Sequence, residues 1–140
     1  MPKAAHMKRL HVDANVILRF LRNDDAKQSP RARSLVDSAQ RGETILILSS
    51  TTLAEIFYAL RASYRMSRTD AADLLIRLLH TGVFELEDEN RMLDALARVA
   101  RANVDFGDAH LAALAVSTGE PIVTFDQDFK KFSDVVIHVP

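Results

Sequence analysis

The sequence of 140 residues contains no cysteine and no tryptophan, and it has only four glycines and four prolines. The absence of cysteine excludes a disulfide framework, a thiolate nucleophile and a thiolate zinc site, and it leads us to expect a cytoplasmic protein. No apolar run approaches the roughly 20 residues that span a membrane, so we expect no membrane association. The N-terminus, MPKAAHMK, lacks the apolar core of a secretory signal. The few glycines and prolines predict short connections between helices and strands.

Neither sign of charge dominates, because the chain has 18 lysines and arginines and 19 aspartates and glutamates, a formal net charge of −1. Such a chain does not attract nucleic acid as a whole, and an RNA substrate would need locally clustered cations. The length and a hydrophobic fraction of 48% predict one globular domain with a substantial core. We assign this domain to residues 8–140 and residues 1–7 to a tag or flexible N-terminus, since His6-Met7 resembles a cloning scar.

Hydrophobic periodicity predicts strands that alternate with helices. Strands are expected at KRLHVD, TILILSS, VFELE, PIVTFD and DVVIHVP, the first of them buried and the last at a sheet edge. Helices are expected over residues 14–22, 29–41, 52–65, 68–80 and 90–103, and over HLAALAVSTG after VDFGD. This order predicts an α/β fold, a three-layer α/β/α sandwich with a mainly parallel sheet of about five strands.

Four acidic residues occupy corresponding places in this pattern. Asp13 follows the first strand, and Glu55 lies one turn into the helix after the second strand. Asp108 begins the helix after VDFG, and Asp126 directly follows the strand IVTF. Because ligands bind beyond the carboxyl ends of parallel strands, we expect all four at one rim of the sheet. Converging carboxylates repel unless a hard divalent cation such as Mg²⁺ or Mn²⁺ takes their oxygens as ligands, and such a metal can activate water.

Some of these residues have a structural alternative at a helix start. Asp13 is placed to cap the helix that follows it. Glu55 completes an S/T-x-x-E capping box with Thr52, and taken alone this residue is better explained by the box. Asp105 is expected to be the N-cap of the helix that contains Asp108, which makes it a structural or supporting group first.

The remaining candidates are equally open when each is taken alone. Asp108 suits the positive end of its helix, and Asp126 and Asp128 fit ordinary turn positions. The joint placement of the four carboxylates at one rim is what favours a metal site. Candidates for groups that support such a site by hydrogen bonds are Asn15, Ser50 and Thr124. The five histidines share no metal-ligand spacing, and we assign His110 no catalytic role.

The segments VDANVILRFL, TTLAEIFYAL, VDFGDAHLAALA and IVTFDQDF resemble the PIN-domain ribonucleases, and most of all the VapC-type toxins of bacterial type II toxin–antitoxin pairs. The resemblance covers residues 8–140. It implies metal-dependent endonucleolytic hydrolysis of RNA, with Mg²⁺ or Mn²⁺ as the cofactor. It also implies a homodimer and an antitoxin that blocks the acidic pocket, where a cation of the antitoxin would replace the metal. The catalytic and metal-binding quartet implied is Asp13, Glu55, Asp108 and Asp126, with Asp128 at an accessory position.

Cationic side chains are expected to flank an acidic site that binds RNA. For each single arginine, a solvated helix face is the simpler interpretation. With two tyrosines and no tryptophan, strong base stacking is not indicated. The apolar first helix, ANVILRFLR, also predicts a groove for a partner helix or an interface with a second copy. The candidate cations are Arg19, Arg22, Arg61, Arg65, Arg68, Lys130 and Lys131.

Three other functions fit parts of this pattern. A phosphoacceptor receiver domain needs an acidic pair after the first strand and a lysine after the last core strand, whereas here only Asp13 follows the first strand. A haloacid-dehalogenase-like phosphatase needs Asp-x-Asp where this chain has Asp13-Ala14-Asn15. A non-catalytic PIN-like module that binds RNA or protein is the alternative we retain. The four carboxylates argue against it, since a scaffold has no need to gather them.

Overall fold

The computed structural model describes residues 7–140, so the assignment of residues 1–7 lies outside the described residues apart from Met7. Strands alternate with helices, as the sequence predicted. The strands are β1 (Lys8–His11), β2 (Thr44–Leu48), β3 (Phe84–Leu86), β4 (Ile122–Val123) and β5 (Ile137–His138). The helices are α1 (Ala14–Arg22), α2 (Gln28–Gln40), α3 (Ser50–Ala62), α4 (Arg68–His80), α5 (Glu89–Arg101) and α6 (Phe106–Thr118), with a 3-10 helix at Gln127–Lys131.

The ends of the helices follow local signals in the sequence. α1 covers the predicted residues and ends at Asn23, whose φ of 49° lies in the left-handed region. Gly119, with a φ of 71°, ends α6 in the same way. Asp105 has the extended backbone of the N-cap that the sequence predicted, although its side chain makes no capping hydrogen bond, and the helix begins at Phe106. This start places Asp108 inside the first turn of α6.

The predicted α/β fold with parallel strand pairs is confirmed, but the main sheet has three strands rather than about five. The described strands form a sheet in the order β1-β2-β3 and a separate pair β4-β5. Leu10 lies beside Leu46 in the first sheet, and Ile122 lies beside Ile137 in the second. β4 and β5 are two residues long and bond to each other, which divides the sheet without changing the α/β sandwich.

The expectation that the first strand is buried is also wrong. All four residues of β1 are exposed, including Leu10. β1 is an edge strand that pairs only with β2, so nothing in the described sheet covers its other side. Burial begins at Val12, whose N–H donates to the carbonyl of Ile47 at 3.0 Å. The chain therefore enters the core where β1 ends and α1 begins.

The core is formed by the apolar faces of the helices and by β2. α1 packs against α2 and α3, and α5 lies between α4 and α6. Leu46 and Leu48 of β2 are buried, and Leu53, Ile56 and Leu60 give α3 one buried face. Among the described residues, no helix combines the length and hydrophobicity needed to cross a membrane.

Candidate metal centre and its surroundings

Three carboxylates converge where α6 begins and the 3-10 helix follows β4. Oxygens of Asp108, Asp126 and Asp128 all lie within 4.8 Å of one another. Asp108 stands in the first turn of α6, while Asp126 is the N-cap of the 3-10 helix and Asp128 lies in its first turn. Two residues of the predicted quartet and the accessory aspartate thus form one acidic group, named the carboxylate group below.

Local hydrogen bonds in the turn orient Asp126 of the carboxylate group. The carboxylate of Asp126 accepts a hydrogen bond from the backbone N–H of Asp128 at 2.8 Å. The N–H of Asp126 donates to the hydroxyl of Thr124, also at 2.8 Å. Asp126 is therefore a turn residue, as one interpretation of the sequence had it, and the same hydrogen bond orients its side chain within the carboxylate group. Thr124 therefore bonds to the backbone of Asp126, and a role in supporting a metal site stays a prediction.

The electrostatics of the carboxylate group centre on Asp108. Burial raises the pKa of this half-buried carboxyl, and the negative charges of Asp105, Asp126 and Asp128 raise it further. One cation of the chain lies close, because the Nζ of Lys131 is 3.1 Å from Oδ1 of Asp128. The same ammonium donates to the backbone carbonyl of Asn103 at 2.8 Å. Charge repulsion within the group is therefore only partly relieved by the chain itself.

The donor set of the carboxylate group fits a hard divalent cation. Carboxylate oxygens from three side chains are ligands that Mg²⁺ and Mn²⁺ prefer, and no sulfur competes in a chain without cysteine. Asp126 uses one oxygen to accept the N–H of Asp128, which leaves its second oxygen available. Because its pKa is raised, the ionised form of Asp108 is favoured by a nearby positive charge.

Asp13 does not cap α1, although it occupies the N-cap position. Its backbone is extended, with φ −84° and ψ 154°, but its side chain makes no capping hydrogen bond. The capping alternative for this side chain is therefore wrong. The carboxylate is exposed at the junction of β1 and α1, and within residues 7–140 it is not a member of the carboxylate group.

Glu55 does not form the capping box that its spacing suggested. The N-cap of α3 is Ser49, whose side chain accepts from the N–H of Thr52 at 3.1 Å. This places Glu55 in the second turn of α3, exposed and too far along the helix for the box. In the described part of the chain Glu55 also lies outside the carboxylate group. Convergence of all four quartet residues on one cation stays a prediction.

The supporting candidates divide into those near the carboxylate group and those elsewhere. Asp105 precedes α6 without a capping bond from its side chain, and its charge acts on Asp108. Asn15 is exposed and lines a groove between α1 and α2. The Ser50 hydroxyl and the Nε2 of His110 are buried without a hydrogen-bond partner among the described residues.

Sequence reasoning missed the ion cluster that holds the chain after the 3-10 helix. Arg98 of α5 is only 2% exposed, and its guanidinium donates to both oxygens of Asp134, at 2.9 and 2.6 Å. It also bonds to Asp94 and lies over the ring of Phe132. An i,i+4 spacing of Asp94 and Arg98 was visible in the sequence, but it indicates only a surface pair. The contact with Asp134 requires the tertiary structure.

The model of the PIN-domain family matches residues 10–135. The VapC ribonuclease of Aquifex aeolicus (strain VF5) is 23% identical over 121 residues, which are 86% of this chain and 89% of that protein. The crystal structure of VapBC2 from Rickettsia felis bound to a DNA fragment from their promoter is 14% identical. Its alignment with the present protein covers 94% of this chain and 98% of the chain in that structure, with a TM-score of 0.38. The family match spans the ends of strands and starts of helices that carry all the predicted acidic residues.

Proposed function

Because this chain belongs to the PIN-domain family, we propose that it is a metal-dependent endoribonuclease and the toxin of a toxin–antitoxin pair. The observation that carries the proposal is the convergence of Asp108, Asp126 and Asp128 within 4.8 Å. The likeness to a protein named VapC ribonuclease supports the substrate class. The expectation of a PIN domain agrees with the family model, and the expectation of the VapC type agrees with the likeness to the VapC ribonuclease.

In this proposal the carboxylate group holds Mg²⁺ or Mn²⁺, the cofactors that suit oxygen donors. Such a cation activates a water molecule and stabilises negative charge on a phosphate. A bound cation would favour the ionised form of Asp108, whose pKa is raised by burial and by the neighbouring carboxylates. One carboxylate oxygen of Asp126 accepts the N–H of Asp128, and the backbone N–H of Asp126 donates to the hydroxyl of Thr124, so the second carboxylate oxygen is available for the cation.

Asp13 and Glu55 complete the catalytic quartet in this proposal. Neither side chain is used to cap a helix, and both carboxylates are exposed. Glu55 either ligates the metal or orients the attacking water. The prediction that separates a quartet from a group of three is that Asp13→Asn and Glu55→Gln abolish cleavage as Asp108→Asn does.

Cleavage of a labelled RNA pool tests the function. Purified protein is incubated with EDTA, Mg²⁺ or Mn²⁺, beside Asp108→Asn, Asp126→Asn and the control Asp73→Asn. Asp73 is an exposed residue of α4, so its substitution removes the same charge at a position outside the carboxylate group. Metal-dependent cleavage that disappears in the first two variants and survives in the control supports the proposal. Cleavage that survives in all three points to a contaminating nuclease and rejects the assignment.

The toxin role brings in protein partners, an antitoxin and a second copy of the chain. A groove of about 390 Å³ between α1 and α2 supports this part of the proposal. Val16 and Leu35 give the groove an apolar lining, and Arg19 and Arg31 are cations beside it. The mass of the purified protein from light scattering tests the homodimer, and a monomeric mass at all concentrations would exclude it.

The alternative is a PIN-like module that binds RNA or protein without cleaving it. In that case RNA would be retained intact with every metal, and Asp108→Asn would bind it no worse than the parent. The carboxylate group argues against this alternative, because three converging negative charges weaken the binding of phosphates unless a cation is present.

A further inference from the structure

A second groove, of about 430 Å³, lies between α3, the start of α4 and the segment that leads into α6. Tyr58 and Arg61 of α3, Arg68 of α4 and Asn103 and Asp105 of the connecting segment are among its lining residues. The groove is open to solvent, and its Arg61 and Arg68 are among the cations that the sequence analysis expected beside an RNA site. It is named the α3–α4 groove below.

The α3–α4 groove borders the carboxylate group. The ammonium of Lys131 joins the two, because it bonds to the carbonyl of Asn103 in the groove and to the carboxylate of Asp128. Asp105 lines the groove and is the N-cap of α6, whose first turn carries Asp108. A ligand seated in the groove therefore lies beside the three carboxylates rather than on a separate face.

One exposed face of α3 carries three different chemical groups in order. Glu55, Tyr58 and Arg61 are spaced by three residues, so their side chains follow one another along the helix. Tyr58 is 73% exposed, whereas an aromatic side chain that packs in a core buries most of its surface. The face thus presents a carboxylate, then an exposed aromatic ring, then a cation.

The cations of the groove are not neutralised. Arg61 donates to the carbonyl of Met66 at 3.1 Å, and Arg68 donates to the carbonyl of Val99. Neither guanidinium has a carboxylate within 4.0 Å in residues 7–140, whereas several other arginines are ion-paired. The carbonyl contacts orient the two side chains and leave their positive charge and remaining N–H groups for a ligand.

We propose that the α3–α4 groove is the subsite for an unpaired nucleotide next to the cleaved phosphate, and that Tyr58 stacks on its base. Arg61 and Arg68 bind the adjoining backbone phosphates. The inference rests on the proposed ribonuclease function. A flat exposed ring followed by a cation matches a base followed by a phosphate in a single strand. An acidic peptide would use the cations but has no need for the ring.

Tyrosine fluorescence tests the stacking directly. The chain has two tyrosines and no tryptophan, so Tyr64→Phe leaves Tyr58 as the only emitter. Titration with a short unstructured RNA, in EDTA and in an Asp108→Asn background, is expected to quench this emission to saturation. The matched protein with Tyr58→Phe, in which only Tyr64 emits, is expected to show no quenching. Equal quenching in both proteins, or none in either, overturns the stacking role.

Affinity measurements test the groove as a whole. In the same noncleaving background, Tyr58→Ala is expected to weaken RNA binding about tenfold, while Tyr58→Phe restores it, because stacking needs the ring and not the hydroxyl. Arg61→Gln is expected to reduce the slope of log affinity against log salt by about 0.7, the value for one phosphate contact on a single strand. Arg77→Gln is the control, since Arg77 lies on α4 about 14 Å beyond Arg68.

The outcomes separate this inference from the proposed function. Cleavage that persists while Tyr58→Ala leaves both RNA affinity and KM unchanged rejects the subsite and keeps the nuclease. Tyr58-dependent RNA binding without cleavage under any metal supports the subsite and rejects the nuclease. Binding that is lost equally in Arg61→Gln and Arg77→Gln reflects general charge, and binding of an acidic peptide in place of RNA identifies a peptide site. Either of these results overturns the proposal.

Discussion

The Nζ of Lys131 lies 3.1 Å from Oδ1 of Asp128, so one of the three converging carboxylates is already paired with a cation of the chain. The pair is about half exposed, and in such surroundings an ion pair contributes little to stability. Its importance is local, because Lys131 reduces the negative potential that a metal ion would meet at the carboxylate group.

Lys131→Met is therefore expected to strengthen metal binding. Removing the positive charge frees Asp128 and raises the attraction for a divalent cation about threefold, in line with the small energy of an exposed pair. Calorimetric titration with Mn²⁺ measures the change. Lys130→Met is the control, because Lys130 is a neighbouring exposed lysine outside the ion pairs found in residues 7–140. Equal tightening in both variants would mean that only net charge matters.

The stability of the metal-free protein should depend on the protonation of Asp108. Its folded-state pKa is raised above the ordinary 3.8, so the folded state holds this proton more tightly than the unfolded state. The resulting stabilisation is complete below pH 3.8 and is lost as the pH rises through the folded-state pKa. Asp108→Asn is thus expected to be more stable than the parent at neutral pH in EDTA, with the advantage disappearing in acid. Urea unfolding at both pH values measures this, and a variant less stable at neutral pH contradicts it.

Asp134→Asn is expected to destabilise the fold by about 1–3 kcal/mol, because it removes the strongest acceptor of a buried guanidinium. Arg98 is 2% exposed and places its shortest bond, 2.6 Å, on Asp134. Asp94→Asn should cost less, since the Arg98–Asp94 bonds are longer, at 3.1 and 3.4 Å. Urea unfolding of both variants gives the comparison.

The same ion pair has a pH dependence of the opposite sign. The hydrogen bond from Arg98 lowers the pKa of Asp134 below 3.8. Its contribution is present above pH 3.8 and is lost as the pH falls through the folded-state pKa. Asp134→Asn should remove this acid sensitivity, and an unchanged acid transition would show that the pair does not contribute.

Ser49→Ala is expected to cost about 1 kcal/mol, because Ser49 caps α3. Glu55→Ala is expected to change stability by less than about 0.5 kcal/mol, since Glu55 is exposed and takes no part in the cap. Thermal unfolding measures both, and RNA cleavage by Glu55→Ala should be lost although its fold is intact. A large loss of stability in Glu55→Ala would return this residue to a structural role.

The sequence predicted most helices closely because their signals are local. The apolar face of α3 and the left-handed residues Asn23 and Gly119 act within a few positions of the helices they shape. Predictions failed where a strand pairs with residues far away in the sequence, and where two nearby hydroxyl residues could each have capped the same helix. β4 and β5 pair with each other outside the main sheet, and Ser49 rather than Thr52 is the N-cap of α3.

The sequence by itself determined the family, the α/β alternation and the acidic residues placed after strands and at helix starts. Only the tertiary structure decided that Asp108 meets Asp126 and Asp128, that Lys131 ties Asp128 to Asn103, and that Tyr58 borders this site. The physical reason is range. Propensities and caps act between residues a few positions apart, whereas a carboxylate's neighbours across the fold depend on how whole helices pack.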